Sequence, residues 1–114
     1  MGLVHEFGII DDITEQSYQD YIPEKFNCIE VADDNILKLT PLLSLLKTYF
    51  HSLDRPEYGL AYYGTTLIPP ESLANFLDII LSADNLKKQE DIHNLSKKII
   101  QAKEENKFMI HYGI

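Results

Sequence analysis

One cysteine, Cys28, and no tryptophan stand in a chain of 114 residues. A lone thiol has no partner for an internal disulfide, and in the apolar run "FNCIEV" it behaves as a small hydrophobe. The expected compartment is a reducing cytoplasm. No apolar run approaches the roughly 20 residues needed to cross a bilayer, so no membrane partner is expected. "MGLVHEFGIIDD" lacks the basic stretch of a secretory signal, and Glu6 stands where N-myristoylation wants Ser or Thr. The five glycines are scattered, with no G-x-G-x-x-G and no P-loop lysine, so no cofactor is expected. Nor does any H-E-x-x-H, C-x-x-C or H-x-H announce a metal site.

Positive charge is also scarce: ten lysines and arginines face eighteen acids, for a net charge of −8. Nucleic-acid binding needs clustered bases, and this balance argues against it. The distribution is more telling than the total. Residues 1–34 hold nine acids and the single base Lys25, while residues 35–114 hold nine of each. The whole net charge belongs to the first third of the chain.

Much of it sits in "DDITEQSYQDYIPEKF", residues 11–26, which fits neither a helical nor a strand period. Asp11, Asp12, Glu15, Asp20 and Glu24 are interleaved there with Tyr18, Tyr21 and Phe26. A charge run is ordinarily a solvated face. Acids mixed with aromatics suit a protein partner better, because rim charge steers the encounter while buried aromatic anchors hold it. These eight residues are the candidate partner-binding site.

Length allows one domain, 1–114. Alternation predicts strands over 2–10 and 25–31, the second rich in aromatic and β-branched residues. Asp33 or Asp34 can cap a following helix in "NILKLTPLLSLLKTYFHSL", where Ile36, Leu39, Leu43, Leu46 and Phe50 form one stripe and Pro41 predicts a kink or a restart. "LDRPEYG" (53–59) reads as a turn and "YGLAYYGTTLI" (58–68) as a third strand. Pro69 and Pro70 end it and open a helix with Leu73, Phe76, Leu77 and Ile80 inward. A more polar helix is predicted from about Leu86 to Glu105, with Asn106 as a left-handed stop. A last strand covers 107–114, tucked inside the sheet or beside the first strand. The order β-β-α-β-α-α-β predicts an α+β fold: a four-stranded, largely antiparallel sheet with helices mainly on one face.

Candidate chemistry centres on the histidines. His5 and His111 occupy terminal strands in similar surroundings, "HEFGI" and "HYGI", and pairing of those strands would bring the imidazoles together. With Tyr62 they could form a cleft for a small enzyme or a ligand-binding protein. Half-buried sheet histidines are the plainer expectation. A Cys28–His nucleophile would need a depressed thiol pKa, and only Lys25 is basic nearby. No catalytic residue is assigned.

At "MGLVHEFGIIDDI", "YIPEKFNCIEV", "KTYFHSLDRPEYGLAYYGTTLIPPESL" and "KFMIHYGI" the chain resembles a group of short, cytoplasmic bacterial proteins. Some of these carry a short-chain dehydrogenase label, which the missing nucleotide motif and the length exclude here. In size, charge and style it also resembles the immunity proteins of polymorphic and contact-dependent toxin systems. That second resemblance implies a partner: a cognate, basic, nuclease-like toxin domain, neutralised by stoichiometric occlusion.

Overall fold

The computed structural model describes residues 3–11, 23–83 and 89–114. Six strands form one antiparallel sheet in the order β2-β1-β6-β5-β3-β4. In chain order the elements are β1 (Val4–Ile10), β2 (Ile29–Ala32), α1 (Asp33–Leu43), β3 (Lys47–Phe50), β4 (Pro56–Tyr58), β5 (Thr65–Ile68), α2 (Leu73–Ser82), α3 (Glu90–Glu105) and β6 (Phe108–Tyr112). Short 3-10 turns at Pro23–Phe26 and Pro70–Ser72 precede β2 and α2.

The α+β class stands, but the sheet has six strands where four were expected. Both added strands come from stretches assigned otherwise. The leucine-rich stripe of the first helix was expected to run on through Phe50, yet α1 ends at Leu43 and "KTYF" is β3. Pro41 contributes no amide to the last turn, Ser44 Oγ donates to the Pro41 carbonyl at 2.8 Å, and Thr48, Tyr49 and Phe50 favour a pleated surface. The turn cluster 53–59 contains β4, an edge strand whose first residue, Pro56, is tolerated there. The predicted strand 58–68 is broken: Gly59 takes φ +80, residues 59–64 turn, and pairing resumes at Thr65. Asn27, at φ 51, likewise separates the Pro23–Phe26 turn from β2, so the strand expected from Lys25 begins at Ile29.

Other expectations hold. β6 lies beside β1 and inside the sheet. Asn106 adopts the left-handed conformation that ends α3. The helix expected from Leu86 is described from Glu90, and residues 84–88 lie outside the described residues. Among the described residues, no helix is long and apolar enough to cross a membrane.

Alternation assigns the two faces of the sheet. Phe7, Ile9, Val31, Ile68 and Met109 point to the helices and pack with Ile36, Leu39, Phe76, Ile80, Leu95 and Ile99 in the main core. Ile10, Leu67, Ile110 and Tyr112 form a smaller cluster on the opposite face with Phe26. Burying each large apolar side chain contributes roughly 1.5–3 kcal/mol before chain entropy is counted. The main core therefore anchors the helices to one face, and three polar side chains on that same face define the site.

Candidate functional site

His5, His111 and Thr66 share the helix-facing side of the sheet for a reason of register. Phe7 sits opposite His111 across β1 and β6, which places His5, two residues along β1, diagonally from His111. Thr66 sits opposite His111 on the other side, in β5. All three are fully buried. A polar group there must be hydrogen-bonded or it costs roughly 1–3 kcal/mol, and each of them is.

The bonds form one row. Tyr62 Oη donates to Asp33 Oδ2 at 2.8 Å, and His5 Nε2 meets Asp33 Oδ1 at 2.8 Å. His5 Nδ1 meets His111 Nε2 at 2.8 Å, and His111 Nδ1 meets Thr66 Oγ1 at 3.2 Å. Thr66 Oγ1 in turn accepts the Ala61 amide at 2.8 Å. With both rings neutral, a single proton arrangement satisfies every atom. Thr66 donates to His111 Nδ1, His111 Nε2–H to His5 Nδ1, His5 Nε2–H to Asp33, and Tyr62 to Asp33's second oxygen. The imidazoles lie nearly parallel, their planes 19° apart and centroids 5.0 Å apart, with Phe7 against His111 at 4.9 Å.

Asp33 is held in place by its neighbours. It was expected as a candidate helix cap, but it is the first residue of α1 and makes no cap bond; Ala32 is the N-cap. Its carboxylate is spent on His5 and Tyr62 instead, while the positive end of the helix still favours its charge. Asp91, in the first turn of α3, fixes the start of α1 by accepting from the Ala32 amide at 2.9 Å and from Asn35 Nδ2 at 3.0 Å. Tyr62 rides on the 61–64 turn, pinned by the Ile114 amide donating to its carbonyl at 2.9 Å and the Gly113 amide to Gly64 at 2.8 Å. Gly113 is required there, because any Cβ at that position would run into the Tyr62 carbonyl.

These environments set the charge states. The hydrogen bond from His5 holds the Asp33 carboxyl below its ordinary range, with the Tyr62 bond assisting against partial desolvation. The same Asp33 bond keeps the Tyr62 hydroxyl protonated, raising it to about 12. Burial, assisted by charge on His5, pushes the His111 imidazole well below its usual value. Cys28 lies apart from this row, with its thiol raised to about 12 by burial and then by Glu6.

A pocket of about 290 Å³ opens against the Tyr62 end of the row. His5 and Tyr62 close one end, Ile36, Leu37 and Leu43 of α1 form a wall, and Leu60 and Tyr58 stand across from it. The pocket is thus bounded by α1 and the loop that follows β4.

Among the expected partner-binding residues, Asp12, Glu15, Tyr18, Asp20 and Tyr21 lie outside the described residues. Asp11 is exposed and paired with Lys107 Nζ at 2.8 Å. Glu24 is exposed, whereas Phe26 is only 5% exposed and packs with Ile10 and Ile110, so its ring anchors the fold. His5 and His111 are brought together as pairing of the terminal strands suggested, fully buried rather than half-buried, and Tyr62 joins them from the 61–64 turn rather than from the expected strand. Asp33 and Thr66 were missed. Thr66 carries the same face parity as His111 once β5 is paired, but nothing in sequence reveals that pairing. Among the described residues, no group of three or more His, Cys, Asp or Glu is arranged to hold a metal ion.

Compared with known proteins, the chain matches no protein-family model, no curated protein and no solved structure.

Proposed function

We propose that the protein binds a basic protein partner through its acidic first third, in the manner of an immunity protein occluding a nuclease-like toxin domain inside the cytoplasm. One observation carries this reading: β1 and β2 set Glu6 directly opposite Glu30. Glu6 and Glu30 line one open depression on that face of the sheet. Glu24 lines the same depression, and the acidic residues 12–22 lie in sequence between Asp11 and its rim at Pro23. A basic domain approaching this side is steered by the charge. The test is co-purification with a C-terminal toxin domain encoded beside this chain. A one-to-one complex that abolishes the toxin's cleavage of nucleic acid is the expected result, and failure to form any complex counts against the proposal.

A second reading, a small-ligand site or small enzyme at the Tyr62 pocket, is favoured by the buried row meeting that pocket. In support of binding over reaction, both oxygens of Asp33 and both nitrogens of His5 are already bonded, and Tyr62 holds its proton tightly. Such a wall orients an occupant better than it attacks one. Bound metabolite in the purified protein, identified by mass spectrometry after denaturation, tests this reading.

A further inference from the structure

Apart from Tyr58 at its mouth, the polar side chains around the 290 Å³ pocket have a common property. Tyr62 donates its proton to Asp33 at 2.8 Å, Thr40 to the Ile36 carbonyl at 3.1 Å, and Ser44 to the Pro41 carbonyl at 2.8 Å. His5 has both nitrogens engaged. These groups therefore turn lone pairs toward an occupant and have no side-chain proton left to give.

Two further features carry the same sign. The Asp33 carboxylate stands directly behind the Tyr62 hydroxyl and polarises its oxygen. The far end of the pocket lies against the last turn of α1, at Leu43 and Ser44, where the helix dipole is negative and that turn holds no basic residue. Ile36, Leu37 and Leu60 add apolar surface, and Tyr58, 63% exposed and paired across the strands with Lys47, stands at the mouth. A slot with apolar walls, whose inner polar side chains accept but do not donate and whose entrance holds an aromatic ring, suits a short hydrocarbon stem carrying a cationic donor.

We propose that this pocket binds an aliphatic primary ammonium group, either of a free alkylamine or of a lysine side chain. The ammonium donates to the Tyr62 and Thr40 hydroxyl oxygens, and its methylenes lie along Leu37 and Leu60. An alkyl carboxylate of the same length is rejected, because it would set lone pairs against lone pairs and a negative charge near Asp33.

This inference rests on the second reading and is independent of the acidic-face proposal. The experiment is an NMR titration of the intact protein at pH 7.5 with n-butylammonium, n-butanol and n-butyrate. The expected result is saturable amide shifts at Leu37, Leu60 and Tyr62 with butylammonium, weaker ones with butanol and none with butyrate. Tyr62→Phe and, separately, Thr40→Val should each weaken butylammonium binding by roughly fivefold, with the amide spectrum otherwise folded. Butyrate or butanol binding as tightly as the amine overturns the ammonium assignment while leaving the pocket reading intact. Absence of pocket shifts with all three probes overturns both, as do butylammonium shifts confined to Glu6, Glu24 and Glu30. An acetylated, amidated Gly-Lys-Gly peptide distinguishes the two sources. Shifts at the same amides assign a lysine side chain, and their absence alongside butylammonium binding assigns a free amine.

Discussion

His111 has no contact with water, and its environment makes stability depend on acid in a defined direction. The unfolded imidazole protonates near 6.5, while burial delays protonation of the folded one to well below that value. Below 6.5 the unfolded state therefore binds more protons than the folded state. Stability should be full above about 6.5 and decline as pH falls, by at most about 1.4 kcal/mol per pH unit for this one proton. Asp33, with its carboxyl lowered from 3.8, adds a decline of the same sign at still lower pH. Urea unfolding between pH 4 and 8 measures the profile, and His111→Gln should flatten the branch just below 6.5. An unchanged branch in that variant would assign the dependence to another group. Gly113 provides a second residue-level check. Gly113→Ala must displace the Tyr62 carbonyl, so it should abolish the Tyr62–Asp33 bond and lower the tyrosine's titration from about 12 toward its ordinary range, followed by ultraviolet difference absorbance.

Among the elements, the terminal strands were the most legible, because a seven-residue alternation on each face of β1 and a matching one in β6 leave little choice of face. Their legibility extended to the site: pairing of the terminal strands was expected to bring His5 and His111 together, and the register does so. The region 35–64 was not legible for a physical reason. Ile36, Leu39, Leu43 and Leu46 keep a helical period across a boundary where hydrogen bonding changes to sheet, since Leu46 is buried in the core as the last residue before β3 rather than as a further helical turn. Tertiary pairing with β5 and β4 decides that boundary, and no local signal reports it. Asp33 was misassigned for a related reason. An acid at a helix start is ordinarily a cap, and only the fold reveals that the buried His5 and the half-buried Tyr62 claim it first. Asn106, in contrast, was readable because a left-handed stop is a local property. Asn106→Gly should leave stability unchanged or slightly raised, while Asn106→Ile, β-branched at φ 56, should cost about 1 kcal/mol or more in chemical denaturation.

For the molecule as a whole, the proposed acidic interface can be separated from the stability of the fold. Glu30 is exposed and Glu6 half-buried, and carboxylates near solvent contribute little to stability. If those charges serve a partner, neutralising them should separate the two roles. Glu6→Gln with Glu30→Gln should change stability by no more than about 1 kcal/mol, read from the thermal midpoint. The same pair of changes, together with Asp12→Asn, Glu15→Gln and Asp20→Asn, should slow association with the proposed basic partner several-fold and reduce the dependence of the on-rate on salt. Dissociation should change less, because rim charges act on the encounter and aromatic anchors, for which Tyr18 and Tyr21 are proposed, set residence time. The pocket variants Tyr62→Phe and Thr40→Val supply the counter-measurement, since they leave the acidic surface intact and should keep the salt dependence unchanged. Stopped-flow association across a range of ionic strength distinguishes the cases. An on-rate that is indifferent to salt in the parent protein removes electrostatic steering, and a fully neutralised variant that binds as fast as the parent moves the interface away from the first third of the chain.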